Sequence, residues 1–100
     1  MFLVVFLSRR TDNLEGYLDM AASMVDLAKE QPGFIRVESF ANQDGLHCTL
    51  SWWESEEAIA AWKANVKHQA AQKAGAERWY SWFETQIAEV KRVHNSSPNF

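Results

Sequence analysis

Apolar residues in this 100-residue chain are spaced alternately at strand and helix periods, in the order strand, helix, strand, strand, helix, strand. Phe2 to Arg9 is a continuous run of β-branched and large apolar residues, the pattern of a strand at the centre of a sheet. Thr11, Asp12 and Asn13 offer N-cap chemistry, and Leu14, Tyr17, Leu18, Ala21, Val25 and Ala28 follow at three- and four-residue steps as the stripe of an amphipathic helix. Gln31-Pro32-Gly33 ends that helix, because proline cannot continue it and glycine permits the reversal.

In Phe34 to Ala41, Ile35, Val37, Ser39 and Ala41 alternate with Phe34, Arg36, Glu38 and Phe40, giving one apolar and one mixed face. Asn42-Gln43-Asp44-Gly45 suits a hairpin into a third strand, His47 to Trp53. Ser55, Glu56 and Glu57 open a second helix bearing Ala58, Ile59, Trp62 and Val66, whose pattern resumes through His68 to Lys73 and stops or bends at Gly75. Trp79 to His94 reads as the last strand of a single domain, 1–94, and 95–100 as a loose tail.

That order predicts an α+β, ferredoxin-like β-α-β-β-α-β fold, a four-stranded antiparallel sheet with its helices on one face. The other face then needs a cover. Two sheets packed across a two-fold axis would supply it, as a dimeric α/β barrel, so a homodimer is expected.

A net charge of −3 with scattered Lys and Arg lacks the footprint of a nucleic-acid binder. The single cysteine, Cys48, cannot form an internal disulfide, which fits a reducing, cytoplasmic setting. Phe2 to Leu7 is too short for a signal-peptide core, and no stretch approaches the roughly 20 apolar residues that cross a bilayer. His47, His68 and His94 have no metal-ligand spacing, and no nucleophile triad, phosphate loop or dinucleotide fingerprint is present, so no metal or cofactor is expected.

The 5 Trp, 2 Tyr and 6 Phe are more ring volume than a domain of this size readily hides, so some should line a binding site or an interface. Trp62 lies on the second helix's apolar stripe, where core packing is its ordinary role and a pocket wall the sharper one. His68 follows six positions later, so the two side chains share a face only if the helix bends between them. As a neutral imidazole it could take a proton from a phenol or enol.

Gln31-Pro32-Gly33-Phe34, Trp52-Trp53-Glu54-Ser55-Glu56-Glu57-Ala58-Ile59, Trp62-Lys63, His68, Ala71-Gln72, Gly75, and Trp79-Tyr80 followed by Val90 resemble the antibiotic biosynthesis monooxygenase family in order and spacing, over roughly Phe2 to Arg92. The resemblance implies the dimeric barrel and, for some members, oxygenation of electron-rich aromatics without metal or flavin. The expected activity is then a cofactor-independent monooxygenase acting on a small aromatic or polycyclic phenol, with His68 as base or anchor and Trp62, Trp79 and Tyr80 as pocket wall. The alternative is a non-catalytic small-molecule-binding or stress-related accessory protein on the same fold. Related barrels that degrade haem use a first-strand Asn, which Phe2 to Arg9 lacks. Ala76 stands where the family more often carries a basic residue, which speaks against anion binding there.

Overall fold

The apolar run at the N-terminus forms β1 (Phe2–Arg10), an inner strand of a sheet ordered β2-β3-β1-β4. In the computed structural model, which describes residues 1–96 apart from the side chains of Val66, Lys67, Ala71 and Ala76, all pairings are antiparallel. The remaining elements are α1 (Tyr17–Lys29), β2 (Phe34–Ala41), β3 (His47–Trp53), α2 (Glu56–Lys63), α3 (Val66–Ala74), a π-helical turn (Gly75–Trp79) and β4 (Tyr80–Glu89). This is the predicted ferredoxin-like order, with the second helix in two pieces. No helix among the described residues is long and apolar enough to cross a membrane. Of the predicted tail, residues 97–100 lie outside those described.

Strand alternation sorts the sheet into two faces. Val4 and Ser8 of β1 and Ser51 and Trp53 of β3 are buried under the helices, where Val4, Ala28, Trp53 and Ile59 form the core. Phe2, Phe34, Ala58 and Trp62 pack around it. On the opposite face the register aligns Leu3 with Trp52 and Ala88, Val5 with Leu50, and Leu7 with Cys48. None of these residues is fully buried, and Arg36 stacks 4.1 Å over the Trp52 ring there.

Three details depart from the sequence expectation. The first helix begins at Tyr17, after Gly16 in a left-handed conformation, rather than at Leu14. The expected cap is used elsewhere: Thr11 donates from its amide to the Trp79 carbonyl at 2.7 Å and from its hydroxyl to the Arg78 carbonyl at 2.6 Å. Thr11 therefore ties the end of β1 to the π-turn, and Leu18 is left exposed.

Second, β2 does not alternate strictly. Phe34 pairs with Trp53 and Arg36 with Trp52, so Ile35 is an extra residue in a bulge. The bulge brings Phe34 onto the same face as Val37, and Phe34 reaches the core. Gly33, with φ at 86°, sits beneath α2 so tightly that a Cβ there would lie 2.6 Å from the Ala58 Cβ. The Pro-Gly-Phe turn is thus the seat for α2, whose Ser55 cap accepts a 3.1 Å bond from the Ala58 amide.

Third, the last strand ends at Glu89 rather than reaching His94. The Val90 amide bonds to the Met1 carbonyl, just past the Phe2–Glu89 pair that closes the ladder. Trp79 belongs to the π-turn and not to the strand.

Candidate functional site

The second helix breaks between Trp62 and His68. The Ala64 amide still bonds back to the Ala60 carbonyl and the Asn65 amide to the Trp62 carbonyl, after which the Gln69 amide starts a new series from Asn65. This break turns His68 back onto Trp62, with ring centroids 4.1 Å apart and planes at 60°. Trp62 in turn stacks on Trp53 at 4.9 Å, and Trp53 meets the edge of Phe34 at 5.5 Å. Trp53 is wholly buried and spends its indole N–H on the Ser51 hydroxyl at 3.0 Å.

Two polar atoms in this corner lack a partner. Trp62 Nε1 and His68 Nδ1 are buried and make no hydrogen bond. Leaving a buried polar atom unpaired costs about 1–3 kcal/mol, and a catalytic role is one of the reasons a native protein keeps one. An indole N–H can only donate, and a neutral imidazole offers one donor and one acceptor nitrogen. A donor and an acceptor of this kind match what a hydroxyl group can accept and donate.

Burial, and after it the positive charge of Lys63, holds the His68 imidazole below its ordinary pKa of 6.5. A depressed histidine means that the folded protein binds the proton less readily than the unfolded chain. The stability conferred by neutral His68 is therefore complete above the unfolded value and is lost as pH falls through it toward the folded value. Urea unfolding from about pH 8 to about pH 5 is expected to show this decline, and H68Q to flatten it. Equal pH slopes for the two proteins would contradict the assignment.

Trp79 and Tyr80 join a different group of rings. Trp79 is buried, donates its indole N–H to the Glu15 carbonyl at 3.0 Å, and meets Tyr17 edge-on at 5.6 Å. Tyr80 packs against Phe6 at 5.5 Å, Phe83 at 5.9 Å and Tyr17 at 6.2 Å. Its ring lies on the backbone of Gly75, where a Cβ would come within 2.7 Å of it. Burial first, then the charge and hydrogen bond of Tyr17, keep the Tyr80 phenol well above its usual pKa, so it stays neutral.

The predicted residues thus form two groups, Trp62 with His68 and Trp79 with Tyr80. Sequence reasoning missed Trp53, which forms the floor under Trp62, and Tyr17 and Arg10, which complete the second group. Tyr17 was on the predicted stripe, and the adjacent Arg9 and Arg10 at the end of a buried strand were the available signal for Arg10. Two open surface grooves lie elsewhere. One, about 500 Å³, runs between α1 and β2, and the other, about 410 Å³, is lined by Ile59, Lys63 and Ile87. Among the described residues no group of three or more His, Cys, Asp or Glu could hold a metal ion.

The sequence profile described as antibiotic biosynthesis monooxygenase matches residues 1–74. The chain belongs to the antibiotic biosynthesis monooxygenase family. It is 41% identical over 91 residues to the uncharacterized protein YqjZ of Bacillus subtilis strain 168, covering 91% of this chain and 80% of that one. Among solved structures, a mutant of SnoaB, a cofactor-independent oxygenase from Streptomyces nogalater, superposes with a TM-score of 0.79 at 14% identity, over 92% of this chain and 94% of that one. A Deinococcus radiodurans protein described as a candidate antibiotic biosynthesis monooxygenase gives 0.81 at 12% identity, over 97% and 99%. At such identities the superpositions show a shared fold. The family's fold is therefore present here, with Trp62 and His68 meeting at the break between α2 and α3.

Proposed function

We propose that this chain is a monooxygenase that oxidises a small aromatic or polycyclic phenol with molecular oxygen and no added cofactor, working as a homodimer. The observation that carries the reading is the contact between the Trp62 and His68 rings, each of which keeps a buried ring nitrogen, Nε1 and Nδ1, without a hydrogen bond. Family membership and the fold shared with a cofactor-independent oxygenase support it.

In this reading neutral His68 accepts the phenol proton as Trp62 donates to the same oxygen. The electron-rich phenolate then reduces oxygen, and a C–O bond forms at an unsubstituted ring position to give a peroxide. Loss of the ring hydrogen as a proton and cleavage of the O–O bond release water and leave a quinone. One phenol and one O₂ thus become one quinone and one water, the substrate supplying all the reducing equivalents. Neutrality of His68 at pH 7 suits the first step, since a protonated imidazole could not take the proton.

The open sheet face bearing Leu3, Val5, Leu7, Leu50 and Trp52 supports the dimer, because an apolar face of that extent is seldom left to water. Oxygen-electrode assays with a panel of naphthols and hydroquinones test the activity. Uptake matching quinone formation one to one is expected, and a panel without any uptake would sink the enzyme reading. Sedimentation is expected to give twice the 11.5 kDa chain mass, and monomer alone would sink the dimer.

A further inference from the structure

Arg10, at the far end of β1 from Trp53, is a cation with no counter-ion among the described residues. Its guanidinium stacks 4.1 Å over the Tyr17 ring and donates from Nη2 to the Tyr17 hydroxyl at 2.6 Å. Its Nε is buried and has no partner. Among the described residues no carboxylate pairs with it. A guanidinium held partly out of water ordinarily finds a carboxylate or phosphate that its planar fork can grip. A phenol and a ring face meet only part of that demand.

The surroundings extend the argument. His47 lies across from Ser8 on the helix-side face of the sheet, and burial and then the charge of Arg10 lower its pKa, so two basic groups share this end. The neighbouring Tyr80 phenol stays protonated and cannot serve as the missing anion. Phe6, Tyr80 and Phe83 meet in mutual ring contacts beside these groups, and Phe83 is 47% exposed, so aromatic surface open to a ligand adjoins the cation.

We propose that Arg10, flanked by Tyr17 and His47, is the anchor for the carboxylate of an aromatic acid whose ring lies against Phe6, Tyr80 and Phe83. The inference rests on the proposed reading only in taking the ligand to be a phenolic aromatic. The anchor lies at the other end of β1 from the Trp53–Trp62–His68 stack, so it is a second site, for a hydroxylated aromatic carboxylate. Arg10 acts here as a binding residue, through the planar pair of N–H groups that carboxylate geometry matches.

Isothermal titration of the full chain with 1-hydroxy-2-naphthoate and with 1-naphthol tests it. Wild type is expected to bind the acid about tenfold more tightly than the naphthol, as one charge-assisted contact would give. R10Q is expected to erase that preference while leaving the naphthol affinity within about twofold, which also reports an intact fold. R10K, which keeps the charge but not the fork, should retain part of the preference, and it decides the matter if R10Q does not fold. Equal wild-type affinities, a preference that survives R10Q, R10K matching wild type, or no binding of either compound would overturn the proposal. Oxygen uptake is scored separately. Preference without uptake keeps the anchor and sinks the oxygenase, whereas uptake without preference does the reverse.

Discussion

Replacing His68 by alanine is expected to lower the rate of phenol-dependent oxygen uptake by about 10²–10⁴-fold, the usual contribution of a positioned general base. His68→Gln, which keeps a polar side chain of similar length, should lose nearly as much, because an amide cannot take up a proton at neutral pH. The loss should fall on kcat more than on KM if the proton transfer belongs to the transition state rather than to ground-state binding. In the wild type the rate should rise with pH through a limb below 6.5, since burial and Lys63 depress the imidazole. That limb should vanish in both variants. Retention of activity within about twofold by His68→Gln would remove His68 from the chemistry, as would an unchanged acidic limb.

The fold was legible because each signal was local. The period-2 and period-3.6 runs named the strands and the first helix, and the order alone selected the ferredoxin-like arrangement. What escaped depended on contacts between distant segments. Thr11 reads as a helix cap, but its hydroxyl is held by the Arg78 carbonyl, 67 residues away. Ile35 reads as the apolar face of β2, but the register against Trp52 and Trp53 places it in a bulge. The last strand ends at Glu89, the residue paired with Phe2, and no residue between Glu89 and His94 announces that.

The candidate site was legible in one respect. A spacing of six between Trp62 and His68 required a bend, and the structure supplies one between α2 and α3, which brings the rings together. That Trp79 and Tyr80 would stand with Tyr17 and Arg10 was not legible. It follows from the pairing of Tyr80 with Arg10 at a register slip and from the turn that carries Trp79 to the Glu15 carbonyl. Pairing register is a property of two strands, and neither strand's sequence contains it.

Trp53→Ala is expected to be the most destabilising single change, at about 3–5 kcal/mol, the range for truncating a large buried aromatic. Trp53 is entirely buried between the sheet and α2, stacked on Trp62 and edge-on to Phe34, so its removal opens a void that three elements line. The loss also strands the Ser51 hydroxyl, buried at 4% exposure, which now receives the indole N–H. Against a total stability of about 5–15 kcal/mol, such a loss leaves little margin. At about 4–8 °C per kcal/mol for a chain of this size, the melting temperature should fall by more than about 12 °C at fixed protein concentration. Trp53→Phe keeps a ring under Trp62 and should lose less. If the stack positions Trp62, its effect on oxygen uptake should be smaller than that of Trp53→Ala when both are assayed well below their melting temperatures. A loss below about 1 kcal/mol for Trp53→Ala would mean that Trp62 and Phe34 collapse into the space, and that the floor beneath the Trp62–His68 pair is not rigid.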